Sequence, residues 1–175
     1  MFPTTKKLVM ALVMTALLGS TMLAQDGAPV SFSLRSVGGS TVTSDSLRGE
    51  VVVLAFGASW LPLSKTQLEG VRKLADEYSD RGVAVFWVST ESEDSKSKNY
   101  ASDTQLKAFA QKYGLKVTVL RDPDGQVSKK FGVDQLPSII ILDKTGAAVG
   151  GPIGGLDPQG NLAGQLGKHL DRVLQ

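Results

Sequence analysis

Seven consecutive residues, Val51 to Gly57, are apolar or glycine. The run is too short for a globular helix and rich in β-branched side chains, so it predicts a strand buried on both faces. It leads into a bend at Ala58-Ser59-Trp60 and then a helix spanning Pro62 to Asp80. Leu63, Gln67, Val71, Leu74 and Tyr78 fall at helical spacings there, and Leu68 and Ala75 widen the stripe. Pro62 suits the first helical position, where its missing N–H costs nothing, and Gly82 supplies the stop. Val83 to Val88 is a second fully apolar strand.

The remaining pattern completes an alternation of strands and helices. Val30 to Leu34 alternates apolar and polar residues, Gly38-Gly39 supplies a turn, and Thr41 to Thr43 forms the partner strand of an N-terminal hairpin. Ser44 to Gly49 reads as one capped turn. The mixed charges from Ser89 to Ser102 predict a solvated, mobile loop. Ser102 or Asp103 caps a helix through Tyr113, with Leu106, Phe109 and Ala110 inward and Gly114 as its stop. Val117 to Leu120 is a short strand, followed by a turn at Asp122-Pro123-Asp124-Gly125 and a helical turn at Val127 to Phe131. Ser138 to Leu142 is a strand that turns at Asp143 to Gly146 into Ala147 to Val149. Asp157-Pro158 is expected to open the last helix, with Leu162, Leu166, Leu170 and Val173 on one face. Two successive β-α-β units place the chain in the α/β class, with a final antiparallel hairpin.

Composition narrows the chemistry. Lys6 and Lys7 precede an 11-residue apolar run, Leu8 to Leu18, which is the layout of a signal peptide occupying residues 1–24. Residues 25–175 then form a single domain exported to the periplasm or the medium, with no membrane attachment after cleavage. Loss of Lys6 and Lys7 lowers the 19 basic residues to 17, equal to the 17 acidic ones. In a formally neutral chain nothing points to nucleic acid or an anionic membrane surface as partner. The chain contains no cysteine, which excludes disulfides, thiol chemistry and thiolate metal sites. Gly150 to Gly155 lacks dinucleotide spacing, and Asp122 and Asp124 lack the further oxygens of a calcium loop. No cofactor or metal is expected.

Several stretches together resemble the thioredoxin-like fold, and within it exported TlpA-type thiol–disulfide oxidoreductases and the redoxin (AhpC/TSA) branch. They are Ser46-Leu47-Arg48-Gly49-Glu50-Val51-Val52-Val53-Leu54-Ala55-Phe56, then Ala58-Ser59-Trp60, then Asp122-Pro123-Asp124-Gly125, then Phe131 to Ser138. The resemblance implies a three-layer sandwich, with a central mixed sheet, helices on both faces and an N-terminal β-hairpin. It also implies Cys-Pro-Pro-Cys after Trp60, where this chain has Leu61, Pro62, Leu63 and Ser64. The peroxiredoxin pattern, aligned through Gln67-Leu68, places its cysteine at Ser64. A serine cannot form a disulfide, and a helix terminus does not ionise it near neutral pH. Pro137, after Leu136, resembles the cis-proline whose neighbouring backbone pairs with extended substrate peptides in this fold.

Ser64 as a hydrolytic nucleophile needs a base, and His169 is the single histidine. A first-turn residue bonding a backbone group is the simpler expectation. The apolar tip Trp60 to Leu63 has two readings: leucines folded down to cap the core, or an exposed patch kept for a partner. The expected function is a redox-inactive module binding a protein or peptide at Trp60–Leu63 and Leu136–Pro137. The alternatives are the thiol–disulfide or peroxide reductase activity implied by the family, and a structural subunit.

Overall fold

Every residue of the central strand β3 (Val51–Gly57) is buried. Its side chains alternate between two cores: Val51, Val53 and Ala55 enter one, Val52, Leu54 and Phe56 the other. That is the arrangement of a strand covered on both faces. The structure, a computed structural model, describes residues 27–154 and 161–175. The expected signal segment, residues 1–24, and Asp157-Pro158 lie outside the described residues.

Around β3 stand β4 (Val83–Ser89) and β5 (Thr118–Arg121), both parallel to it, and β6 (Ser138–Leu142), antiparallel. The N-terminal hairpin, β1 (Ser33–Ser36) and β2 (Thr41–Thr43), joins the other edge antiparallel to β5. The order is β2-β1-β5-β4-β3-β6. Helices α1 (Pro62–Tyr78), α2 (Asp103–Lys112) and α4 (Leu162–Leu174) bury their apolar stripes in the core of Val51, Val53 and Ala55. The short α3 (Gln126–Lys130) covers the opposite face with Val127, backed by Phe131 and Phe32. This is a three-layer sandwich on a mixed sheet.

Local chemistry sets most boundaries. Pro62 is the first residue of α1, and Gly82, in the left-handed region at φ 79°, ends the short 3-10 turn after it. Ser102 and Gln105 close a reciprocal capping box on α2.

Four expectations need correction. The first strand is Ser33–Ser36 rather than 30–34, because Val30 donates to the Gly146 carbonyl and belongs to a separate bridge region. Residues 147–149 add isolated bridges beside β6 instead of a regular strand. The last described helix begins at Leu162, where the Asn161 side chain accepts from the Gly164 N–H. The segment from 89 to 102 is an insert anchored at Glu91 and Asn99 rather than a free loop.

Candidate functional site

Strand register gathers the site. Gly57 lies across from Ser89 on β4, Ser89 across from Arg121 on β5, and Phe56 across from Ser138 on β6. The bend at 58–60, the insert from Thr90 to Ser102 and the Leu136–Pro137 pair therefore meet at one sheet edge. That edge carries the carboxyl ends of the parallel strands, the usual crevice of α/β proteins.

The bend fixes the start of α1. Leu61 is extended (φ −77°, ψ 127°), as a residue before proline prefers, and Pro62 begins the helix. Ser64 is fully buried, and its Oγ accepts the Ala58 N–H at 3.2 Å. The inward face of α1 runs through Ser64, Gln67, Leu68, Val71 and Leu74. Leu63 stands off that face and is 56% exposed, which corrects the expectation that it joins the stripe. Trp60 is 61% exposed and Leu61 half-buried, so the tip does not close over the core.

Beneath the tip lies a buried polar centre. The Gln67 amide donates to the carbonyls of Phe56 (3.2 Å) and Ser138 (3.3 Å), and its oxygen accepts the Trp87 indole N–H at 3.1 Å. One side chain thus ties α1 to β3, β4 and β6. Gly57 leaves room for it: a Cβ there would lie 2.7 Å from Gln67 Oε1 and 2.9 Å from both Ser64 Oγ and Trp87 Nε1.

The insert carries the residues that sequence reasoning missed. Glu91 is 1% exposed, and its carboxylate accepts from Ser59 N (3.0 Å), Ser59 Oγ (2.6 Å) and Ser89 Oγ (3.0 Å). Asn99 Oδ1 accepts the Trp60 indole N–H at 2.7 Å, and its amide donates to the Thr90 carbonyl. Arg121, buried beneath the insert, donates to the carbonyls of Glu91 and Ser92. Arg121 and Arg35 both grip Asp103, and Arg35 also bonds Glu93. Hydrogen bonds from Arg35, opposed by burial and joined by Arg121, hold the Asp103 carboxyl below its ordinary value. Glu91 and Glu93 are thus internal ties, while Asp94, Lys96 and Lys98 stay exposed as the charge pattern predicts. The available signal is the place of Glu91, three residues beyond the apolar run Val83 to Val88.

Between the tip and the β6 loop runs a groove of about 380 Å³, lined by Trp60, Leu61, Thr90, Val133, Asp134 and Leu136. The Leu136–Pro137 peptide bond is cis, and Pro137, next in the chain to the groove residue Leu136, is buried. Among the described residues, the backbone N–H and C=O groups of Gln135 and Leu136 have no hydrogen-bond partner. His169 is exposed on α4 and makes no hydrogen bond or ion pair among the described residues, so Ser64 gains no base from it. No group of three or more His, Cys, Asp or Glu residues suited to a metal occurs among the described residues. None of their helices is long and apolar enough to cross a membrane.

The AhpC/TSA family profile matches residues 24–148. A thioredoxin-like protein of Bacillus subtilis, YneN, is 31% identical over 117 residues, which are 66% of this chain and 63% of that protein. The thiol-disulfide oxidoreductase ResA of Bacillus thuringiensis is 24% identical over 118 residues, covering 67% of this chain and 63% of ResA. The chain thus spans less than two thirds of the length of these relatives. A putative thiol:disulfide interchange protein DsbE from Chlorobium tepidum superposes with a TM-score of 0.70 at 22% identity, over 86% of this chain and 97% of that one. The three-layer fold is therefore thioredoxin-like, with Leu61 and Ser64 at the positions where the sequence resemblance places cysteines. The chain belongs to the AhpC/TSA family.

Proposed function

We propose that this protein is an exported, redox-inactive binding module that holds an extended segment of a partner protein in the groove between Trp60–Leu61 and Leu136–Pro137. Export is supported by the signal-like layout of residues 1–24. Redox inactivity follows from the absence of cysteine, since both thiol exchange and peroxide reduction require a thiolate. The Ser64 hydroxyl offers no substitute nucleophile, being buried and bound to the Ala58 N–H.

The observation that carries the reading is the pairing of an exposed apolar wall with unpaired backbone. Trp60 and Leu61 line one wall of the groove, with exposed Leu63 beside them, and the Gln135 and Leu136 peptide groups on the other side lack partners among the described residues. An extended peptide satisfies such groups by strand addition, while alternate side chains rest on the apolar wall. Selection from a displayed library of linear peptides tests this. Binders are expected that shift the Gln135 and Leu136 amide resonances and are lost in the L61S/L63S double variant. Binders unaffected by L61S/L63S would sink the assignment. So would insulin reduction or peroxide consumption above a blank, which is the family activity.

A further inference from the structure

A second site lies on the other side of the insert. A cavity of about 220 Å³ is lined by Arg35, Glu93, Tyr100, Ser102, Asp103 and Arg121. It shares no lining residue with the peptide groove. The space is several times the roughly 30 Å³ that one water occupies in the liquid.

Its floor is the Arg121 guanidinium, whose side chain is 1% exposed. Two of its nitrogens are engaged, with Asp103 Oδ1 at 2.9 Å and with the Glu91 and Ser92 carbonyls. The third, Nε, is buried with no hydrogen-bond partner among the described residues. Glu93 Oε1 approaches it only to 3.9 Å, beyond hydrogen-bond reach. An unpaired buried donor on a charged group is costly, so the site is one acceptor short. Arg35 stands at the mouth, 40% exposed, and shares its fork between Asp103 and Glu93, which is 46% exposed.

Asp103 is held by both arginines and belongs to the frame. Among the described residues, Glu93 is held at the rim by Arg35 alone at bonding distance. The two arginines and two acids sum to zero charge, so removal of Glu93 from the site leaves one uncompensated positive charge. A carboxylate matches a guanidinium fork in plane and charge.

We propose that this cavity is a binding site for a small carboxylate, which displaces the Glu93 side chain and accepts from Arg35 and Arg121 Nε. Glu93 is then the internal occupant that keeps the site closed when no ligand is present. The chemistry fits either a free small acid or the C-terminal carboxylate of a peptide.

Arginine Nε–Hε resonances of the 15N-labelled protein give a residue-specific readout. Acetate is titrated at constant ionic strength, with chloride as the control anion. The expected result is a saturable shift at Arg121 Nε–Hε and at the Asp103 amide that chloride does not produce. In Glu93→Ala the same titration saturates at about fivefold lower acetate, the change equivalent to about 1 kcal/mol for an exposed ion pair. Glycylglycine and its C-terminal amide separate the two sources. Tighter binding of the free acid than of acetate, with a silent amide, assigns a peptide terminus, and equal affinities assign a free acid. A linear, unsaturable response matching chloride overturns the proposal. So does an E93A protein, folded by circular dichroism, that binds acetate no more tightly.

Discussion

The Trp60 indole donates a hydrogen bond to Asn99 Oδ1 at 2.7 Å, joining the exposed tip to an insert 39 residues away. Asn99 in turn donates to the Thr90 carbonyl, and Thr90 N donates to Gly57 O. An exposed tryptophan with a fixed edge presents one face to a partner and loses little freedom on binding. In Asn99→Ala the indole N–H resonance of Trp60 is expected to shift toward that of a solvated tryptophan. Stability should change by no more than about 1 kcal/mol, because the bond is exposed. An unmoved indole resonance refutes the fixing role.

Gln67 is the polar centre of the fold at this edge. Gln67→Leu removes the partner of the Trp87 N–H and of the Phe56 and Ser138 carbonyls, all buried. Urea denaturation should show a loss of about 2–4 kcal/mol, since several buried polar groups are orphaned together. Gly57→Ala tests the same packing from the other side, because its Cβ meets Gln67, Ser64 and Trp87 at under 3 Å. About 1–3 kcal/mol of destabilisation is expected there.

Glu91 holds the bend through three donors. Glu91→Ala leaves the Ser59 N–H, Ser59 Oγ and Ser89 Oγ without their carboxylate. A loss of about 2–3 kcal/mol is expected in chemical denaturation, the range for hydrogen bonds to a charged group in a buried place. Glu91→Gln, which keeps one acceptor oxygen, should recover part of it. Equal stability of wild type and Glu91→Ala contradicts the anchoring role.

Acid should loosen the insert through Asp103. Its folded carboxyl is held below the ordinary value of 3.8 by Arg35 and Arg121. A depressed carboxyl contributes stability that is present above the unfolded value and lost as pH falls through the folded one. Stability at Asp103 is therefore full near neutrality and declines below about pH 4. Asp103→Asn should lower stability at pH 7 and flatten the acid limb of the stability–pH curve. An acid limb of unchanged steepness counts against the assignment.

The hydrophobic runs of β3, β4 and β6, the proline and glycine punctuation of α1 and the capping of α2 were legible because each depends on neighbours in sequence. The exposure of Leu63 was not. Its helical spacing fits the apolar stripe, and the register of Ser64 and Gln67 in the buried face decides against it. Glu91 was hidden for a similar reason, since its partners Ser59 and Ser89 come together only through strand pairing. The ties of Glu93 and Asp103 to Arg35 and Arg121 likewise span up to 68 residues, and local patterning reads Glu93 as solvated and Asp103 only as a candidate helix cap. The bend at Ala58-Ser59-Trp60, the helix start at Pro62 and Ser64 in its first turn were legible, because the Val51 run and Pro62 set that position alone.

The proposed redox-inactive docking role for this edge requires that the protein lack thiol–disulfide turnover, which insulin reduction measures. Leu61, the extended residue that precedes α1, and Ser64 in its first turn are three positions apart, the spacing of the cysteine pair that the family resemblance implies. The assay therefore compares the wild-type protein with the Leu61→Cys/Ser64→Cys double variant on the same scaffold. The wild type is predicted to match the buffer blank while the double variant reduces insulin above it. Turnover by the wild type above the blank would contradict the account.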